Sequence, residues 1–127
     1  LNGAWTNDVD ASLPRYNFVG GKYGTMAALN GQRHHCPAKS VLPSNITEYS
    51  GPAIRMLTAD HQKTLSYKSS QAAIDYRAKQ KNLISQGKLL AAIKMDIDDV
   101  NSIAPDGRYS YALNQMYQYA KTLGYTQ

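Results

Sequence analysis

The sequence of 127 residues predicts an α+β domain, a short β-hairpin plus helix embedded in a mainly helical body. Two observations carry that reading. From Ser69 onward apolar residues recur at three- and four-residue steps in three successive segments, the pattern of amphipathic helices. Before Ser69, Gly and Pro break the chain into short apolar runs that suit strands and loops. The length implies one domain able to bury roughly two-thirds of its unfolded surface. No run approaches the ~18 apolar residues of a spanning helix.

The first 30 residues are rich in Gly, Asn and Tyr and show no helical or alternating period. Leu1 is not an initiator Met and no basic segment followed by an apolar one precedes the domain, so the chain reads as an excised fragment without a signal peptide of its own. Tyr16-Asn17-Phe18-Val19 is expected to form a short strand before the Gly20-Gly21 break, and Thr25 to Leu29 a helical turn ended by Asn30-Gly31. Pro37 and Pro43 make the stretch from Gly31 to Gly51 a loop or irregular hairpin. Ala53 to Leu57 reads as the return strand, with Thr58 as N-cap of a short helix that carries Asp60 and His61.

Three helices are expected after that. Ser70 caps the first, whose apolar positions are Ala72, Ala73, Tyr76, Leu83 and Ile84 and whose stop is Gly87. Leu89, Leu90, Ile93, Ile97, Val100 and Ile103 define the second, broken by Pro105-Asp106-Gly107. Tyr109 to Leu123 forms the third, with Leu113, Met116, Tyr117 and Ala120 on one stripe and Gly124 at its end.

Lys and Arg number 14 against nine acids, of which only Glu48 is Glu, and the pI near 9.3 leans toward an anionic partner. The distribution is uneven. Residues 63 to 94 hold Lys63, Lys68, Arg77, Lys79, Lys81, Lys88 and Lys94 against Asp75, whereas residues 95 to 106 hold four Asp and no base. A basic face beside an acidic patch is therefore expected. Asp96, Asp98 and Asp99 lack the Gly and distal Glu of a calcium loop, and read as a solvated helix face or a protein-binding patch.

Phosphate-loop, dinucleotide, His-Glu-x-x-His and nucleophile-elbow patterns are absent. Cys36 is the only cysteine, which excludes an intrachain disulfide and a multi-cysteine metal centre, so any metal site rests on His and Asp. Cys36 itself reads as a small buried residue rather than a nucleophile, since a Cys and His adjacent in sequence make a poor catalytic pair. Tyr is abundant, and the residues at helical spacing, Tyr76, Tyr109 and Tyr117, are expected to pack rather than stack bases.

All three histidines fall within 28 residues, as Arg33-His34-His35-Cys36-Pro37 and Ala59-Asp60-His61. Neighbours on an extended strand point to opposite sides, so His34 and His35 do different jobs. One suits a metal and the other a substrate water as base, with His61 completing the metal site from the second element. The plainer alternative makes the pair ordinary surface residues of a Pro-rich loop and His61 a polar residue at a helix start.

Together, Leu29-Asn30-Gly31, His34-His35-x-Pro37-Ala38-Lys39-Ser40-Val41, Gly51-Pro52-Ala53-Ile54-x-Met56, Asp60-His61-x-x-Thr64-x-Ser66, Ser69-Ser70, Tyr76-Arg77-x-x-Gln80 and Met95-Asp96-Ile97-Asp98-Asp99-Val100 resemble a known toxin domain. That domain closes large bacterial surface and secretion proteins, including Rhs-repeat and contact-dependent-inhibition carriers. It looks like a member of the HNH/endonuclease VII, or His-Me finger, nuclease superfamily, and the match runs from about Leu29 to Leu123. The resemblance implies residues 1–30 as a linker or pretoxin remnant packing on the domain and 31–127 as the nuclease toxin domain.

In that superfamily a β-hairpin and a following helix (the ββα-metal unit) hold one divalent ion, here Mg²⁺, Zn²⁺, Mn²⁺ or Ni²⁺. Carried over by position, His34 and His61 are the metal ligands, Asp60 a further ligand or orienter, His35 the general base, and Asn45, the only Asn between His35 and His61, the residue that orients it. Arg33, Lys39, Lys63, Lys68, Arg77 and Lys81 are the bases expected to contact nucleic-acid phosphates. The resemblance implies an endonuclease toxin delivered from the producing bacterium and acting on DNA in the target-cell cytoplasm. It also implies a cognate immunity protein, expected to be acidic. The alternatives are an RNase of the same fold and a non-catalytic nucleic-acid or protein binding module.

Overall fold

The strand Pro52–Met56 is buried along its whole length, and a strand buried on both faces must sit inside a sheet. The computed structural model, which describes residues 18–29, 31–67 and 69–127, places it there. Three antiparallel strands, β1 (Gly20–Lys22), β2 (Gln32–His35) and β3 (Pro52–Met56), lie in the order β1-β3-β2. Four helices follow: α1 (Thr58–His61), α2 (Gln71–Ser85), α3 (Leu89–Ile103) and α4 (Ser110–Lys121). The expected α+β class holds.

One face of the sheet carries Ile54 and Met56 into a core shared with Phe18, Leu89, Ile93, Val100, Leu113 and Met116. Helix α4 lies directly on β1, and the sequence permits this through one residue. A Cβ at Gly20 would stand 1.9 Å from the Ala112 carbonyl oxygen and 2.9 Å from the Met116 nitrogen, so only glycine lets helix backbone meet strand backbone. The Gly20 amide also donates to Gln115 Oε1 at 3.1 Å.

The strand expected over residues 16–19 instead runs through the glycines, as Gly20↔Ile54 and Lys22↔Pro52 pairing shows; Tyr16 and Asn17 lie outside the described residues. Ahead of residue 30, Phe18 lies in the core and β1 is one of the three strands of the sheet, so residues 18–22 are packed into the domain. The helical turn expected at Thr25 to Leu29 is replaced by a 3-10 turn at Tyr23–Thr25. Leu57, not Thr58, is the N-cap of α1. Ser70 does cap α2, accepting from the Ala73 amide at 3.2 Å.

Helices α2 and α3 are joined as much by polar as by apolar contacts. Ala72 faces out, and the buried side of α2 carries Ala73 and Gln80. Asp96 accepts from the Tyr76 hydroxyl at 2.7 Å and from Gln80 Nε2 at 2.9 Å, and is fully buried. Asp99 is buried too and accepts from the Leu65 amide at 2.8 Å. The expected solvated Asp face is therefore absent. Positions 96, 99 and 100 fall on the inner stripe of α3 with Leu89, Ala92 and Ile93, and of the three only Asp98 is exposed. Nor is the basic stretch one face: Arg77 and Lys79 stand on different sides of α2, and Lys94 lies over the Tyr117 ring.

Replacement of Gly20 by Ala is expected to cost about 1–3 kcal/mol, as overpacking does, measured by urea denaturation. A second expectation concerns pH. Burial raises the Asp96 carboxyl to about 7, against 3.8 for the free group, and the adjacent Asp99 adds to the rise while the bonds from Tyr76 and Gln80 oppose it. The native state thus keeps a proton that the unfolded chain releases, so this contribution is full below about pH 4 and lost as pH rises through about 7. The stability of the wild type relative to Asp96→Asn should decline across that interval and level off above it.

Candidate active site

Strand β2 lies at the edge of the sheet, and its register with β3 sets the directions of its side chains. His34 pairs with Ile54 and His35 with Ala53, so the two histidines emerge on opposite faces, as their adjacency predicts. His34 is only 3% exposed and meets His61 of α1 edge to face, with ring centroids 5.1 Å apart. Its Nε2 is buried with no hydrogen-bond partner among the described residues. Burial, reinforced by His61 and His35, holds the His34 pKa down at about 3, and burial likewise lowers that of His61. Both rings are therefore neutral at pH 7, the form in which imidazole binds a metal.

His35 is fixed on three sides. Its Nε2 stands 2.9 Å from the Glu48 carbonyl oxygen, which can only accept, so Nε2 carries the hydrogen and Nδ1 keeps the basic lone pair. One ring face stacks on Tyr23 at 3.9 Å, and the Arg33 guanidinium lies 4.0 Å from the same tyrosine ring. On another side the ring presses on Gly51, where a Cβ would come within 2.9 Å of Cδ2. The turn bearing Tyr23 is laced to the one bearing Glu48 and Gly51, with Tyr23 N donating to Gly51 O at 2.9 Å and Gly24 N to Tyr49 O at 2.8 Å. Burial lowers the His35 pKa below its ordinary value, against a smaller opposing pull from Glu48.

The structure brings His34, His35, His61, Arg33 and Lys39 to one cavity of about 210 Å³. It shares Lys39, Ser66 and Tyr67 with a wider cleft of about 1040 Å³, to which Arg77 contributes from α2. Lys63 and Lys81 are exposed but line neither space, and Lys68 lies outside the described residues. Arg33 is partly engaged locally, donating to the carbonyls of Tyr23 and Met26. Lys39 pairs with Glu48 at 3.2 Å, both well exposed.

Two expected members stand elsewhere. Asp60 Oδ2 accepts from the Tyr109 hydroxyl at 2.7 Å and from Arg108 Nη1 at 3.1 Å, and does not line the histidine cavity. Through Oδ2 it ties α1 to Arg108 and Tyr109. No group of three or more His, Cys, Asp or Glu side chains arranged for a metal occurs among the described residues. Asn45 is exposed and its Oδ1 accepts from the Tyr125 hydroxyl at 3.1 Å, so the Glu48 carbonyl, not Asn45, orients His35. Cys36 is fully buried, and burial raises its thiol well above the usual range, which keeps it protonated and inert.

Sequence reasoning missed Tyr23 and Glu48. A backbone carbonyl leaves no residue-type signal, and a tyrosine 12 positions before His35 joins it only through tertiary structure. Comparison with models of known families, with curated proteins and with solved structures finds no match. No helix among the described residues is long and apolar enough to cross a membrane.

The anchoring of α1 can be measured directly. The Tyr109 hydroxyl donates to Asp60 and accepts from the Leu57 amide at 3.0 Å, in a buried position. Tyr109→Phe leaves both partners short of a bond and is expected to destabilise the fold by about 2 kcal/mol in thermal or urea melts.

Proposed function

We propose that this domain is a metal-dependent endonuclease that hydrolyses phosphodiester bonds of DNA, of the HNH/endonuclease VII (His-Me finger) type, and that it serves as a toxin held in check by a cognate immunity protein. The observation that carries the reading is the buried, unpartnered Nε2 of His34 beside His61, with His35 oriented on the Glu48 carbonyl in the same cavity. An orphaned buried nitrogen carries a desolvation penalty that a bound ligand removes. The order β2, β3, α1, with histidines on the first strand and the helix, is the order that the resemblance implies for the ββα-metal unit.

The residues fit a divalent ion with two neutral imidazoles as protein donors, His34 and His61. Asp60 is not counted with them, because it does not line the cavity and its Oδ2 is bonded to Tyr109 and Arg108. When bound, such an ion supplies positive charge against the phosphoryl oxygens and the departing 3′ oxygen. His35 receives the proton of the attacking water at Nδ1, and its lowered pKa keeps that nitrogen unprotonated at neutral pH. As the ring becomes cationic, the Glu48 carbonyl on Nε2–H stabilises it and Tyr23 holds its plane. Lys39 and Arg77 give the entrance positive charge for flanking phosphates.

The same charge would draw an acidic immunity protein over the cavity. On this reading the domain is delivered from the producing bacterium and acts in the cytoplasm of its target.

Incubation with supercoiled plasmid, with and without EDTA, is the first test, and metal-dependent nicking is expected. His35→Ala should lower the rate by ~10²–10⁴-fold while leaving calorimetric binding of Mn²⁺, Ni²⁺ or Zn²⁺ in place. His34→Ala and His61→Ala should lose metal affinity and activity together. Metal binding unchanged in both would remove the proposed centre, and near wild-type nicking by His35→Ala would remove the base.

A further inference from the structure

Among the described residues that line the cleft beside the histidine cavity, Tyr67 is the one aromatic side chain, and about half of its surface is left bare by the fold. Tyr67 is 52% exposed and borders both the small cavity and the wide cleft. One edge of its ring contact is inward, against His61, with centroids 4.9 Å apart.

Residues 62–67, which follow α1, form turns and are tied down at several points. Thr64 Oγ1 donates to the His61 carbonyl at 2.7 Å, Leu65 N to buried Asp99 at 2.8 Å, Arg77 Nη1 to the Ser66 carbonyl at 2.8 Å, and Tyr67 N to Thr64 O at 3.2 Å. Asp99 is desolvated to make its bond, and burial raises its carboxyl accordingly. A loop fixed by a buried carboxylate and an arginine, with a half-bare tyrosine at its end, is a preorganised platform.

Around the platform the chemistry suits a nucleotide. Lys39, paired with exposed Glu48, and Arg77, bonded to the Ser66 carbonyl, line the cleft and supply cations, and Ser40, Ser69 and Ser70 line it too. An aromatic face flanked by cations binds an unpaired base by stacking and its phosphates by charge, whereas a paired base presents no free face. We propose that this cleft is a subsite for an unpaired DNA nucleotide next to the scissile phosphate, with Tyr67 as the stacking residue and Lys39 and Arg77 on the flanking phosphates. The inference rests on the nuclease reading above and narrows its substrate to single-stranded or locally opened DNA.

The test uses the full chain in a His35→Ala background, so that probes survive, with anisotropy of a labelled thymidine 12-mer and of a labelled duplex of about the same length as the readouts. The single strand should bind more tightly than the duplex. Adding Tyr67→Ala should weaken single-strand binding by about tenfold, the loss of one base–aromatic stack, with duplex binding little changed. Tyr67→Trp should retain it, which separates stacking from a general loss of structure. A single-strand affinity unchanged in Tyr67→Ala, or an equal loss on both probes, overturns the subsite. If wild type still nicks plasmid in that event, the nuclease reading stands without it; if neither probe binds and no nucleic acid is cut, both fall.

Discussion

The hydroxyl of Tyr109 is the point on which the arrangement of this protein turns. It donates to Asp60 and accepts from Leu57 N, so one atom joins the end of the central strand, the first turn of α1 and the start of α4. Its ring meanwhile packs edge-on against Phe18 in the core, with centroids 5.1 Å apart. Burial and the Asp60 bond raise the Tyr109 pKa, so the group stays a donor at any ordinary pH. A four-residue helix has no stability of its own, and α1 exists because this junction and β3 hold it. His61, the next residue after Asp60, takes its place beside His34 as a result.

The same device recurs. Three of the eight Asp residues, Asp60, Asp96 and Asp99, are buried or nearly so, and each bonds to groups from another element. They replace side-chain packing where α2 offers little apolar surface. The consequence is geometric: Asp96 sets α2 against α3, Asp99 sets the segment after α1, and so the wall of the cleft depends on buried carboxylates rather than on loop sequence.

What was legible in the sequence follows from this division. Periodicity located α2, α3 and α4 to within a residue or two, since burying a stripe every three or four residues is what such helices do. It could not say that Gln80 and Asp96 occupy that stripe in place of apolar residues, because a polar residue looks solvated until its partner is known. At the site, alternation on β2 separated His34 from His35, and helix-start chemistry placed His61. Asp60 beside a histidine looks like a ligand in the sequence, and only Arg108 and Tyr109, far along the chain, reveal the bonds that its carboxylate makes. Gly20 was readable as a break but serves as the contact between β1 and α4.

The bond between His35 and Glu48 gives the imidazole a history. In an unfolded chain the ring proton exchanges between both nitrogens, and nothing sets the ring's plane. The segment from Cys36 to Gly51, between β2 and β3, must close before the Glu48 carbonyl reaches Nε2, and that closure carries a loop entropy that only the completed sheet repays. The tautomer of His35 is therefore a tertiary property, written when the hairpin shuts and erased when it opens. A nascent or unravelled copy of this chain has the same histidines and no fixed tautomer among them.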